Sequence, residues 1–355
     1  HGLLARALWS ATHAAIVAQR YAECLTMTVE AREVCRRIGD REREADVLYR
    51  EASALTRSSR FDEARSRYDE AAAIYSVIGK RRGAAAVLVN GGIVSVHLGL
   101  LEAAEASMRS AYELFGSLKD ARGQTASAIN LCFVQLLANQ PAAAKTVALE
   151  ALALARKMEH VYYEASALAN LGQAERDLGD LGAAAEHMSA GLAIRRAKSQ
   201  PADYVDDIAN LAFVRLLAGD VDAARPLADE MWPVFESTSS AVFMPQFAYW
   251  MAAQVYRGLG DLERGAAMLH RANETVKQQA SLIRSSAERE RFLALDAHRE
   301  IAGAVEHDRW PTIGAGRADS TPQRSRRSGS RRAPKSSRAG DEARPTVDVT
   351  GKNGG

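Results

Sequence analysis

The stretch EASALANLGQAERDLGDLGAAAEHMSAGL, residues 164–192, decides the fold. Leu168, Leu171 and Leu178 fall on one helical stripe, with Gly172 beside them. Gly179-Asp180 then interrupts the helix, because Gly adopts the left-handed conformation that ends a helix and Asp caps the next one. Ala184, Met188 and Gly191 form the stripe of a second helix. The small side chains let the two rods of this hairpin approach closely. A bulky residue at Ala184 would overpack the contact, at about 1–3 kcal/mol.

The same register recurs along the chain. Ala52, Gly92, Cys132, Gly172 and Ala212 are spaced by 40 residues, and Ala253 follows after 41. A dozen residues on stand Cys24, Ala64, Ala104, Ala144, Ala184, Ala224 and Gly265, and seven beyond those Ala31, Ala71, Ala111, Ala151, Gly191, Met231 and Ala272. A period of this length is the mark of a solenoid, in which each unit buries its apolar face only against its neighbours. The turn recurs as Gly219-Asp220 and Gly260-Asp261, and in other dress as Ser59-Arg60, Gly99-Leu100 and Asn139-Gln140. Second helices end near Gly39, Gly79 and Lys119-Asp120. No alternating strand pattern appears in the body.

Length alone, 355 residues, would suggest two domains, but stacking overrides that prior. The net charge of +2 hides an asymmetry: residues 311–355 hold ten Lys or Arg against four Asp or Glu, leaving a mildly acidic body. Three cysteines make no disulfide framework. Cys24 and Cys132 occupy small-residue positions of the repeat, and a reducing cytoplasmic compartment is expected. No apolar run approaches the roughly 20 residues of a membrane span. The start, His1-Gly2-Leu3-Leu4, reads as mid-helix, so a preceding segment, such as an N-terminal effector domain, is expected.

The pattern resembles the tetratricopeptide repeat (TPR). Leu171-Gly172 with Ala184, Met188 and Gly191 matches that family's motif, as do Ala64, Tyr68 and Ala71, and Ala104, Met108 and Ala111. The likeness covers seven units, from about Leu4 to Ala280. It departs in its period, 40 rather than about 34, so each helix should be about one turn longer. The closing prolines of the family are mostly absent. Long-period repeats of this kind look like the C-terminal halves of bacterial LuxR-like and maltose-activator-like regulators and of repeat-bearing cyclases and kinases. The resemblance implies an all-α, right-handed TPR-like α-solenoid of about seven helical hairpins over residues 1–273. A C-terminal capping helix is expected over 274–308, where Val276, Ile283, Phe292, Leu295, Ile301 and Val305 keep a stripe. Residues 309–355, rich in Arg, Ser, Gly and Pro, read as a disordered basic tail.

In this family the first helix of each unit lines the concave groove. The residue two before the small position is Asn90, Asn130, Asn170 or Asn210, a ladder of amides able to bond an extended peptide backbone. Around it stand Ile93, Phe133 and Phe213, with Gln173 and Arg176 interrupting the apolar lining. Asparagine here either supports neighbouring backbone or contacts a ligand, and the two coexist. The apolar groove residues are either open to a partner or covered by the superhelix itself or a preceding domain. The equivalents of the carboxylate clamp of chaperone-binding repeats, Tyr49, Ser53, Val89, Ile93, Ile129 and Phe133, have the wrong chemistry for it. Trp9 and Trp250 map to groove-facing positions, as packing or as anchors.

Catalysis finds little support. The eight histidines are scattered, with no HExxH and no Cys-x-x-Cys, and neither metal nor cofactor is expected. His97, His160 and His187 are read as solvated, and Asp206-Asp207 as a helix-start pair favoured by the dipole. The sequence therefore points to a non-catalytic protein- or peptide-binding scaffold, the sensory or interaction module of a larger bacterial signalling or transcription-regulatory protein. A small-molecule-sensing module is the alternative. Nucleic-acid contact through Arg324, Arg326, Arg327, Arg331, Arg332 and Lys335 is the second.

Overall fold

The computed structural model describes residues 2–237 and 244–311, which lie in one unit, His1–Ala318. Among the described residues the ordered elements are helices. Seven antiparallel hairpins follow one another: α1 (Gly2–Val17) with α2 (Tyr21–Arg37), α3 (Arg41–Arg57) with α4 (Phe61–Val77), α5 (Arg81–His97) with α6 (Leu101–Ser117), and α7 (Ala121–Leu137) with α8 (Pro141–Lys157). Then come α9 (Val161–Asp177) with α10 (Leu181–Lys198), α11 (Val205–Leu217) with α12 (Val221–Glu236), and α13 (Pro245–Gly258) with α14 (Leu262–Leu282). Two short helices, α15 (Ser286–Leu293) and α16 (Asp296–His307), complete the described chain. The odd-numbered helices also pack on one another, α3 on α5, α5 on α7 and α7 on α9, and so form the inner layer.

Helices α2 to α9 are each 17 residues long, and their turns repeat to the residue. One residue in the left-handed region closes each turn: Gln19, Gly39, Ser59, Gly79, Gly99, Lys119, Asn139, Glu159 and Gly179, spaced by 20. The N–H of Gly39 bonds the Arg36 carbonyl at 3.1 Å and that of Asp40 bonds the Cys35 carbonyl at 2.9 Å, the paired closure of a Schellman motif. Asp40 then accepts from the Arg43 N–H, so one residue ends a helix and caps the next. Asp120, Asp180, Asp220 and Asp261 repeat that cap, each worth about 1 kcal/mol. Leu178, read on one helical stripe with Leu168 and Leu171, caps the end of α9 and is exposed, while the other two are buried.

The small positions mark where rods touch. A Cβ on Gly172 would stand 2.5 Å from Met188 Cγ and 2.9 Å from the Ala184 carbonyl oxygen. One on Gly191 would stand 3.0 Å from the Ala165 carbonyl. Cys132, in the Gly172 register, turns its thiol to the Ala144 carbonyl at 3.3 Å. All three cysteines are buried and unbridged, and burial pushes the Cys132 thiol up to about 12.

The rhythm breaks after α10. Ser199 is extended, a single 3-10 turn spans Pro201–Asp203, and α11 starts four residues late, at Val205. The single capping helix expected over 274–308 is not what forms. Residues 274–282 are the end of α14, Ile283 turns extended, and the remainder is α15 and α16. The Ser285 hydroxyl, which accepts from the Glu288 N–H, starts a new helix there. From residue 312 on, the expected tail lies outside the described residues.

The C-terminal helices reach back to units far earlier in the chain. Arg65 of α4 pairs with Glu288 of α15 at 2.6 Å, and Arg284 with Glu63 at 3.1 Å. At the α5–α6 turn, Gly99 lies so close under α15 that a Cβ there would stand 2.4 Å from the Phe292 nitrogen. Met244 and Phe247, at the start of α13, share one apolar cluster with Ile93, Val96, Phe133 and Leu137. The inner layer thus curls round a hollow that its own C-terminal end partly walls off.

Candidate functional site

Two adjacent cavities lie in that hollow and share Phe133, Gln173, Asn210 and Phe247. The larger, about 360 Å³, is lined by Ile129, Asn130 and Phe133 of α7, by Tyr162, Ser166, Asn170 and Gln173 of α9, and by Arg195 of α10. Asp206, Asp207 and Asn210 of α11 and Met244, Phe247 and Ala248 at α13 close it. The smaller, about 150 Å³, adds Arg176, Asp177, Trp250, Asp296 and Glu300.

Three of the four ladder asparagines therefore meet in one place. Their shared phase follows from the 40-residue repeat: each lies on the groove face of its helix, one hairpin from the next. Each spends an amide proton inside the fold. Asn130 and Asn210 donate to the carbonyls of Ala126 and Asp206, one turn earlier on their own helices, at 2.9 and 2.8 Å. Asn170 donates to the Ile129 carbonyl of the preceding unit at 2.9 Å. Asn90 does both, reaching the Ala86 carbonyl at 3.0 Å and the Tyr49 hydroxyl at 2.8 Å, and it lines neither cavity. A primary amide has two N–H donors and an acceptor oxygen, so this backbone support leaves groups for a ligand.

The other sequence candidates divide. Gln173 lines both cavities. Arg176 lines the smaller, bonded to Asp177 at 2.9 Å and to the Asn210 oxygen at 3.0 Å. Its guanidinium stands 6.0 Å from the Phe213 ring centre, and Phe213 itself packs against the main core. Ile93 and Phe133 are half-buried against Met244 and Phe247, and only Phe133 keeps an edge on the cavities. Trp250 is fully buried: its indole N–H donates to Glu300 at 3.1 Å and its ring stacks on Trp310 at 5.3 Å. Trp9 stands at the other end, under the Arg50 guanidinium.

Two expectations are corrected. His97 is buried and stacked on Phe61 at 4.4 Å, and burial pushes its imidazole down to about 4. His160 caps α9, and His187 bonds Glu175 at 2.7 Å. The Asp206-Asp207 pair does begin a helix, yet it faces the larger cavity rather than open solvent. Burial raises both carboxyls. That of Asp207 goes up to about 8, with Asp206 adding to the rise and Arg195 opposing it. Arg195, Tyr162 and this pair were not among the sequence candidates. The available signal was Pro201 breaking the 20-residue rhythm just before two adjacent acids.

Among the described residues no group of three or more His, Cys, Asp or Glu is placed to hold a metal ion, and no helix is long and apolar enough to cross a membrane.

No protein-family model and no curated protein matches the chain. Solved structures do. Aspartyl phosphate phosphatase F from Bacillus subtilis aligns with a TM-score of 0.63 at 14% identity, over 77% of this chain and 70% of that one. NprR in complex with its cognate peptide NprX aligns at 0.55 and 15%, over 85% and 88%. A tetratricopeptide repeat protein from Parabacteroides merdae aligns at 0.52 and 13%, over 82% and 98%. At such identities the likeness is one of fold: the chain is a TPR-like helical-repeat solenoid.

Proposed function

We propose that this chain is a non-catalytic, peptide-binding TPR scaffold, the sensory or interaction module of a larger bacterial signalling or regulatory protein. One observation carries the reading: Asn130, Asn170 and Asn210 converge on a single cavity in the hollow of the solenoid. Amides on successive units match the donors and acceptors of an extended backbone, and the aromatic walls offer pockets for its side chains. The described NprR structure holds a peptide on the same kind of fold, which supports the reading. A fold shared with a protein named as a phosphatase carries no activity to this chain. Occupancy would be passed to an attached effector by a change in superhelix pitch, since the C-terminal helices bridge units far apart in sequence.

The test is the double variant Asn130→Ala, Asn170→Ala. Binding of end-capped random pentapeptide libraries should weaken about tenfold or more, as expected for losing two buried hydrogen bonds, with the circular dichroism spectrum unchanged. Equal binding by variant and wild type would remove the amides from the site. A small-molecule sensor is the second reading. Its support is the cavity itself, whose 360 Å³ falls at the low end of the roughly 300–1,000 Å³ of ligand pockets. A thermal-shift screen of metabolites separates it from peptide binding.

A further inference from the structure

The wall of the larger cavity carries two carboxyl groups and one guanidinium. The first turn of α11 sets Asp206 and Asp207 side by side in its wall. One cation answers them, Arg195 of α10, whose Nε stands 3.4 Å from Asp207 Oδ2. That guanidinium is engaged elsewhere too: Nη2 donates to the Ser166 hydroxyl at 2.8 Å and the plane stacks on the Tyr162 ring at 4.3 Å. Arg176, which lines the adjoining smaller cavity, is tied to Asp177 and Asn210. Neither α7 nor α13 brings a titratable group to this wall. Once both carboxyls are ionised, one negative charge is left over, in a recess where water screens it poorly. Phe133 and Phe247 line the same cavity, and an aromatic face attracts a cation.

We propose that the groove selects a peptide bearing an arginine or lysine side chain, whose cationic head sits against Asp206 and Asp207 while its backbone follows the asparagines. The proposal rests on the peptide-binding reading above and names the chemistry of its ligand. A pair of acids that merely complemented the helix dipole would stand in solvent and titrate ordinarily. Here the Asp207 carboxyl lies at about 8, so the empty pocket holds a proton near neutral pH. An incoming cation takes that proton's place. Binding then releases a proton and strengthens as pH rises toward 8, with Tyr162, Arg195 and Asp206 the other ionisable groups at the spot.

The experiment uses the full chain and end-capped pentapeptide libraries with randomised flanks and a fixed central arginine, lysine, citrulline or glutamate. Arginine and lysine libraries should bind roughly thirtyfold more tightly than the citrulline library at pH 8, the neutral isostere leaving a carboxylate unanswered. In Asp206→Asn the preference should fall to near parity. A second measurement needs no variant: wild-type affinity for the arginine library rises between pH 6 and 8.5, while that for citrulline stays level. Equal binding of arginine and citrulline libraries, or equal pH slopes, would overturn the charge selection and leave peptide binding standing. Failure of every library to bind would overturn both.

Discussion

Helices α3 to α8 and helices α11 to α16 solve the same packing problem by different means. In the first region every helix has 17 residues, every turn closes alike, and small side chains let neighbours nest. Charges cross between its rods and those of α2. The Glu44 carboxylate, 1% exposed, meets Arg36 and Arg41, each at 2.5 Å, and Glu51 joins Arg32 to Arg67. In the second region lengths vary from 8 to 21 residues. Large rings fill the interior there: Trp250, Tyr256, Phe235 and Phe292 are all fully buried, and the Tyr256 hydroxyl donates to the Ala228 carbonyl at 2.7 Å. The regular region is a sum of local contacts. The irregular one depends on contacts between distant residues, and the cavities form where it closes against α7 and α9.

The comparison predicts unequal responses. Trp250→Ala removes the largest buried side chain and the support of α16, and should cost about 3–5 kcal/mol. Hydrogen exchange should quicken through α13 to α16 and remain near wild type in α3 to α8; uniform loss of protection would show the array to be one cooperative block. A smaller effect concerns pH. The folded Asp207 carboxyl lies above its ordinary range, so its contribution to stability is full below about pH 4 and is lost as pH rises through about 8. Melting temperatures of wild type and Asp207→Asn should therefore diverge between pH 5 and 8.5, to the disadvantage of wild type. Parallel curves would mean that the carboxyl is solvated. The smallest effect belongs to the bridge between the two regions. Arg65 is 37% exposed and Glu288 12%, so Arg65→Glu should cost about 0.2–1 kcal/mol. The charge-swapped pair Arg65→Glu, Glu288→Arg should restore that loss, and exchange in α15 is the readout.

The repeat was legible because its signals are local. A left-handed residue every 20 positions, an Asp that both ends and starts a helix, and small residues at fixed phase each act over a few residues. They need no knowledge of the rest of the chain. The asparagine ladder shared that phase, so Asn130, Asn170 and Asn210 could be picked out before any coordinates. What the amides bond to was less accessible. The same spacing serves backbone support and ligand contact alike, and here one proton of each is already engaged.

Sequence by itself determined the helices, their hairpins and the inner face, since period and turn chemistry follow from neighbours along the chain. Tertiary structure alone decided that the hollow is partly walled. Phe247 reaches Phe133 and Phe292 reaches Gly99 only because small rotations between units add up over several hairpins, and no single unit records that sum. The same accumulation turned Asp206 and Asp207 from an ordinary helix start into part of a recess. Burial, which sets their charge, belongs to the assembled fold and not to any stretch of sequence.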